Sequence, residues 1–187
     1  MHKQILTEKF VLKDRIPSEL NVDFPKLKEY ILSHYNDKFL FQTSNRFTKY
    51  PTYYKLNFNQ QLGWLSTYIC DMFRVEYNTN LVPVNEDAML INFLEKEETT
   101  SIANHIDRWR LEQSPDISVY VCFTETKEQT FNYINFEYDD NRIVDKVWST
   151  PIQYKNMIVF NSSLNHRITP NKNDDLMINV LFRYQII

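Results

Sequence analysis

The sequence predicts an α+β protein, mainly β: an antiparallel sandwich or barrel with N-terminal helices packed on one outer face. Two features of the chain carry that reading. Up to residue 87 apolar side chains recur at helical spacing, and from residue 88 they gather into short runs of β-branched, aromatic and aliphatic residues. Polar turns such as "YDDNR" and "TPNKND" separate the runs. A series of short strands behind a helical block closes most economically as packed β layers with the helices outside. At 187 residues the chain reads as one domain, 1–187, with 1–87 as a helical support region and 88–187 as a β core.

The first helix is expected in "DFPKLKEYILSHY", where Asp23 can cap the N-terminus, Pro25 falls in the first turn, and Leu27, Tyr30 and Ile31 share a face. "NQQLGWLSTYICDMFRVEY" repeats the pattern with Leu62, Leu65, Ile69, Met72 and Phe73. The strands follow as "AMLINFLE", "DISVYVCFT", "TFNYINFEY", "KNMIVFN" and "DLMINVLFRYQII". The single glycine, Gly63, excludes glycine-rich phosphate loops and leaves the turns to Asn, Asp and Pro.

A content of 43% hydrophobic and 15% aromatic residues argues against disorder. No apolar run reaches the roughly 18 residues of a membrane span, so no membrane partner is expected. The start, "MHKQILTEKF", is charged early and lacks the apolar stretch of a secretory signal, which points to the cytoplasm. Cys70 and Cys122 lie in apolar contexts away from any metal-ligand spacing, as buried thiols of a reducing compartment do. A net charge of -3 supplies no global field for nucleic acid, which leaves a local basic groove as the only electrostatic route to that partner. Exposed aromatic residues in the helical half would suit a homodimer.

The chemistry concentrates in "SIANHIDRWR", residues 101–110. On a strand, residues two apart point the same way, so His105 and Asp107 would project together with Ile106 turned to the other face. An imidazole and a carboxylate joined by a second imidazole make the two-His-one-carboxylate set that leaves iron positions open. Of the four histidines, His2 is terminal and His34 belongs to the first amphipathic helix. His166, in "MIVFNSSLNHRITPN", follows an apolar strand and precedes a Pro-Asn turn, and it is the candidate third ligand. By type, then, His105, Asp107 and His166 are candidate metal ligands and catalytic residues.

The ordered set of "NHID", the apolar strand "MIVFNSSLNHRITPN" with its distal histidine, and a closing apolar strand resembles the Fe(II)/2-oxoglutarate-dependent dioxygenases. The likeness is to small hydroxylase-like members of phage and bacterial genomes, and it covers residues 88–187. It implies a double-stranded β-helix, or cupin-like jelly roll, with iron at one mouth. It also implies 2-oxoglutarate as cosubstrate, O2 as oxidant, and release of succinate and CO2. Family members place an Arg or Lys on the last core strand, soon after the distal histidine; here "NDDLMINVLFRY" has Leu176 or Met177 at that place. Alternation puts Met177, Asn179, Leu181 and Arg183 on one face. The nucleic-acid-repair demethylase branch has a similar late arginine. The resemblance therefore implies Arg183 as the carboxylate clamp, with Asn179, Asn92 and Tyr120 as hydrogen-bond partners.

Arg108, Trp109 and Arg110 follow the proximal ligands, where an aromatic ring between two guanidinium groups could hold an anionic or planar substrate. Arg167 alternates away from the distal ligand, and "EKEETTS" reads as an exposed loop or a lid. The expected activity is hydroxylation of a small-molecule, amino-acid, peptidyl or nucleobase substrate. The alternatives are a cupin-like metal-binding or sensing domain that does not use 2-oxoglutarate, motivated by Met177, and a metal-free β-sandwich interaction module. Substrate choice in such folds resides in loops that composition does not decode.

Overall fold

A computed structural model describes residues 9–33, 54–55, 60–84, 89–100, 102–106, 114–139 and 142–187. The chain runs β1 (Val11–Arg15), a 3-10 turn (Ser18–Leu20), α1 (Phe24–Ser33), β2 (Tyr54–Lys55), α2 (Gln60–Tyr77), β3 (Leu81–Pro83) and β4 (Met89–Leu94). It continues with β5 (Ile117–Cys122), β6 (Thr130–Asp139), β7 (Arg142–Pro151), β8 (Asn156–Asn161), β9 (His166–Ile168) and β10 (Met177–Ile186). A seven-stranded sheet is ordered β1-β8-β5-β10-β4-β2, with β3 also paired to β10, and a three-stranded sheet is ordered β7-β6-β9. Every pairing given for these strands is antiparallel. From β4 onward the chain passes back and forth between the two sheets, with Ala103 bridging His166 on the small sheet before β5 returns to the large one and the β6–β7 hairpin staying within the small sheet. That alternation is the winding of a jelly roll.

Period-two alternation gives the large sheet two apolar faces. One face, with Ile178, Val180, Phe182 and Tyr184 of β10 and Val119 and Val121 of β5, packs against Leu27 and Ile31 of α1 and Leu62, Leu65, Ile69 and Phe73 of α2. The other face, with Leu90, Tyr120, Ile158, Phe160, Met177 and Leu181, closes on Phe131 and Ile168 of the small sheet. The helices thus cover one outer face, as the sequence predicts.

Local chemistry sets the element ends. Asp23 caps α1: its side chain accepts the Lys26 N–H at 3.1 Å and its carbonyl accepts the Leu27 N–H at 2.9 Å. With glycine nearly absent, left-handed backbone falls to Asn21 and Asn78, as expected, and also to Glu97, Glu128 and Lys155. The Tyr184 hydroxyl, fully buried, donates to Ser66 Oγ at 3.0 Å and ties α2 to β10. Among the described residues no helix is long and apolar enough to cross a membrane.

Three expectations need revision. The front half is not purely helical, because β1 lies beside β8 as an edge strand of the large sheet and β3 extends the pairing of β10. β7 is a full partner of β6 although its sequence, "RIVDKVWSTP", lacks a clean apolar run. The stretch "EKEETTS" is exposed at residues 95–97, as expected of a loop, but its described residues are tied down rather than free to act as a lid: Glu97 and Glu98 exchange backbone hydrogen bonds with Asn171, and Thr100 Oγ1 accepts the Ile168 N–H at 2.8 Å.

Candidate metal centre

His166 opens β9, facing Tyr133 of β6 on one side and Ala103 on the other. His105 does not sit on a regular strand. Ala103 makes a single bridge, and the His105 N–H donates to the Ser162 carbonyl at 2.8 Å. That bond and the bridge bring the two imidazoles together between the sheets, with ring centroids 4.9 Å apart. His105 is 9% and His166 is 2% exposed. Phe160 and Phe131 enclose the distal ring, at 4.8 Å edge-on and 5.0 Å stacked respectively.

The hydrogen bonds fix the tautomer of His166. Its Nδ1 lies 2.8 Å from the Leu164 carbonyl, which only accepts, so Nδ1 carries the proton and Nε2 presents its lone pair to the interior. A backbone carbonyl on the far nitrogen is the usual second partner of a metal-binding imidazole. The Tyr120 hydroxyl lies 3.4 Å from Nε2, a long contact. Burial pushes the His166 pKa down to about 4. Burial, then the neighbouring His166 and the positive charge of Arg183, hold His105 well below its usual value. Both rings are therefore neutral near pH 7, the state in which an imidazole donates to a metal.

Strand register places the remaining candidates. Asn179 of β10 faces Asn92 of β4 and Cys122 of β5, Leu181 faces Tyr120, and Arg183 faces Ser118. Tyr120 reaches His166 with its hydroxyl, and Ser118 Oγ lies 2.7 Å from Ser162 Oγ, beside the carbonyl that holds His105. The histidines consequently sit at the Leu181–Arg183 level of β10. Met177 is fully buried on the same face, four residues from Leu181 and so about 13 Å farther along the strand. Arg183 is half-buried, and its charge reaches His105. Asn179 Nδ2 is buried and makes no hydrogen bond among the described residues. An amide N–H left so is a donor waiting for an acceptor.

The structure thus brings His105, His166, Tyr120, Asn92, Asn179 and Arg183 to one interior. Asp107, Arg108, Trp109 and Arg110 lie outside the described residues. Among the described residues no group of three His, Cys, Asp or Glu side chains could hold a metal, so His105 and His166 supply two donors. Arg167 is exposed, and Lys172 is taken up by Glu97 at 3.1 Å on the surface. Sequence reasoning missed the Ser118–Ser162 pair and the two phenylalanines around the distal ring. Ser118 shares the face of Tyr120 two residues on, so alternation could have found it. Phe131 and Phe160 resemble any core aromatic.

No family model matches the chain, and no curated protein matches it. Solved structures do. AviO1 from Streptomyces viridochromogenes Tue57 superposes with a TM-score of 0.63 at 12% identity, over 95% of this chain and 90% of that one. The non-heme alpha ketoglutarate dependent epimerase SnoN from nogalamycin biosynthesis gives 0.63 at 8% identity, over 95% of this chain and 78% of that one. A Pseudomonas putida prolyl-4-hydroxylase gives 0.58 at 11% identity, over 92% and 91%. The fold is the double-stranded β-helix. Strands β4 to β10 form its two sheets together with β1, β2 and β3 from the front half, and α1 and α2 cover its large sheet.

Proposed function

We propose that the chain is a non-haem Fe(II)- and 2-oxoglutarate-dependent oxygenase that hydroxylates a small-molecule, amino-acid, peptidyl or nucleobase substrate. One observation carries the reading: two neutral, buried imidazoles 4.9 Å apart, one locked in the tautomer that presents Nε2 to the interior. The donor set fits iron. His105 and His166 would hold it, and Asp107, two residues after His105, would complete the set. Bound there with 2-oxoglutarate and O2, ferrous iron supplies oxidative decarboxylation to succinate and CO2 and an oxidant for a C–H bond.

The chain's own residues then have separate tasks. The Leu164 carbonyl keeps the His166 ring oriented, and Ser162 does the same for the backbone of His105. Arg183 offers a planar, permanently charged fork for a cosubstrate carboxylate at the level of the histidines. Asn179 Nδ2 offers a donor from the same face, with Asn92 and Tyr120 adjacent. Phe131 and Phe160 exclude water from the distal ring, which keeps it neutral and shields reactive chemistry from solvent. The likeness in fold to an alpha ketoglutarate dependent epimerase and a prolyl-4-hydroxylase supports the class without choosing the substrate.

The test is anaerobic loading with Fe(II), then addition of O2 and 2-oxoglutarate with quantification of succinate. Succinate should form with wild type and be lost in His105→Ala, His166→Ala and Asp107→Ala. Arg183→Met should raise the KM for 2-oxoglutarate by roughly 10- to 100-fold, the size of a charge-assisted hydrogen bond lost. The buried Met177, standing where a cation is expected, favours a second reading, a cupin-like metal-binding or sensing domain that does not use 2-oxoglutarate. A metal-loaded protein giving no heat with 2-oxoglutarate in calorimetry would select it.

A further inference from the structure

A cavity of about 250 Å³ is bounded by Lys9, Val11, Tyr133, Trp148 and Leu164 among others. It is at the small end of ligand pockets, which run roughly 300–1,000 Å³, and so suits one or two rings rather than a polymer. Register and one hydrogen bond link it to the candidate centre. His166, Tyr133 and Trp148 are successive Cα partners across β9, β6 and β7, and directly paired residues project from the same face of a sheet. Leu164 lines the cavity with its side chain while its carbonyl holds His166 Nδ1.

The chemistry of the walls is specific. Tyr133 and Trp148 stack with centroids 5.4 Å apart and planes 8° from parallel, and Trp148 remains 42% exposed. An indole held flat against a second ring, with much of its surface still open, is a prepared surface for a planar guest. Among the described residues lining the cavity only Lys9 is charged, and it is exposed. Its position is set by the next residue, because the Phe10 N–H donates to Asn161 Oδ1 at 2.6 Å at the end of β8.

We propose that this cavity binds the substrate of the candidate centre and that the substrate is a planar aromatic or heteroaromatic acid. Its ring lies on the Trp148–Tyr133 stack, and its anionic group is directed to Lys9. The substrate assignment rests on the reading of His105 and His166 as metal ligands; the ring subsite itself does not.

The experiment titrates the full-length, metal-free protein with 2-naphthoate and with its uncharged analogue 2-naphthamide by isothermal calorimetry. Saturable one-site binding of naphthoate is expected. Lys9→Gln should weaken naphthoate roughly fivefold, as for an exposed charge pair, and leave naphthamide unchanged. Trp148→Ala should weaken both roughly tenfold through the lost stacking surface. Both side chains are exposed, so both variants should fold. Absence of saturable naphthoate binding, or affinities unmoved in both variants, overturns the subsite. Proton relaxation of bound naphthoate with Mn(II)-loaded protein tests the placement: enhancement that disappears in Trp148→Ala is expected, and naphthoate bound alongside Mn(II) without enhancement overturns the substrate assignment. Failure of the protein to take up Mn(II), with the calorimetry intact, would instead remove the metal-site reading and the substrate role, leaving the ring subsite standing.

Discussion

At the residue scale, burial decides which titratable groups are chemically available. Burial pushes the Cys122 thiol up from 9.0 to about 12, and its S–H reaches the Thr124 carbonyl at 3.2 Å. This cysteine shares the interior face with Tyr120 but is no nucleophile. The raised value also has a stability consequence. An acid whose folded pKa exceeds its unfolded one contributes stability that is complete below the unfolded value and is lost as pH rises toward the folded value. Wild type should therefore lose about 1.4 kcal/mol per pH unit from this group above pH 9, beyond what Cys122→Ala loses. Urea unfolding of both proteins at pH 8 and 10.5 measures it: the wild-type loss should exceed the variant's by about 2 kcal/mol. Equal losses would mean that the thiol ionises freely in the fold. The two histidines were legible as a candidate pair from the H-x-D spacing around His105 and from the place of His166 between an apolar strand and a Pro-Asn turn. Their meeting was not legible, because it depends on the Ser162 carbonyl and the Ala103 bridge, backbone contacts that no side-chain pattern encodes.

At the scale of elements, the amphipathic period gave α2 in full. Leu62, Leu65, Ile69, Met72 and Phe73 are its buried residues, the same five that share its apolar face in sequence. One element needs one face, and the period of 3.6 reports it directly. Leu65 is 1% exposed within the helix-side core, so Leu65→Ala should cost about 2–5 kcal/mol in urea unfolding. Thr67→Ala, on the exposed side of the same helix, should stay within about 0.5 kcal/mol. Similar costs at the two positions would contradict the packing of α2 on the large sheet. β7 escaped sequence reading for the opposite reason. It pairs along one edge with β6, and among its described side chains Lys146, Val147, Trp148 and Ser149 are all exposed, so that stretch carries no period of burial. An edge strand carrying charge and polarity is also what keeps a sheet from pairing with another copy. The "TPNKND" turn was legible as a turn but not as a clasp. Asn171 there is fully buried, and its side chain donates to the Leu94 and Asp175 carbonyls at 3.0 and 2.9 Å.

At the scale of the molecule, the candidate centre joins parts that are distant in sequence and belong to different sheets. His166 opens β9 of the small sheet, Tyr120 is on β5 of the large one, and the segment carrying His105 is held by the loop that follows β8. An ion bound by both imidazoles would therefore join the segment carrying His105 to β9 and be bound by the folded chain alone. Such a ligand stabilises by mass action, about 2.7 kcal/mol at a hundredfold excess over its Kd. For a chain of this length that corresponds to a rise in Tm of about 5–10 °C. Thermal unfolding with and without Mn(II), a redox-stable substitute for iron, should show the rise in wild type and in Lys172→Ala, whose charge pairs with Glu97 on the surface. His105→Ala and His166→Ala should each abolish the rise. Metal removal by a chelator should return wild type to its starting Tm, because the apo fold already keeps both rings buried and neutral. A rise that persists in both histidine variants would place the ion elsewhere and detach the interior of the barrel from metal chemistry.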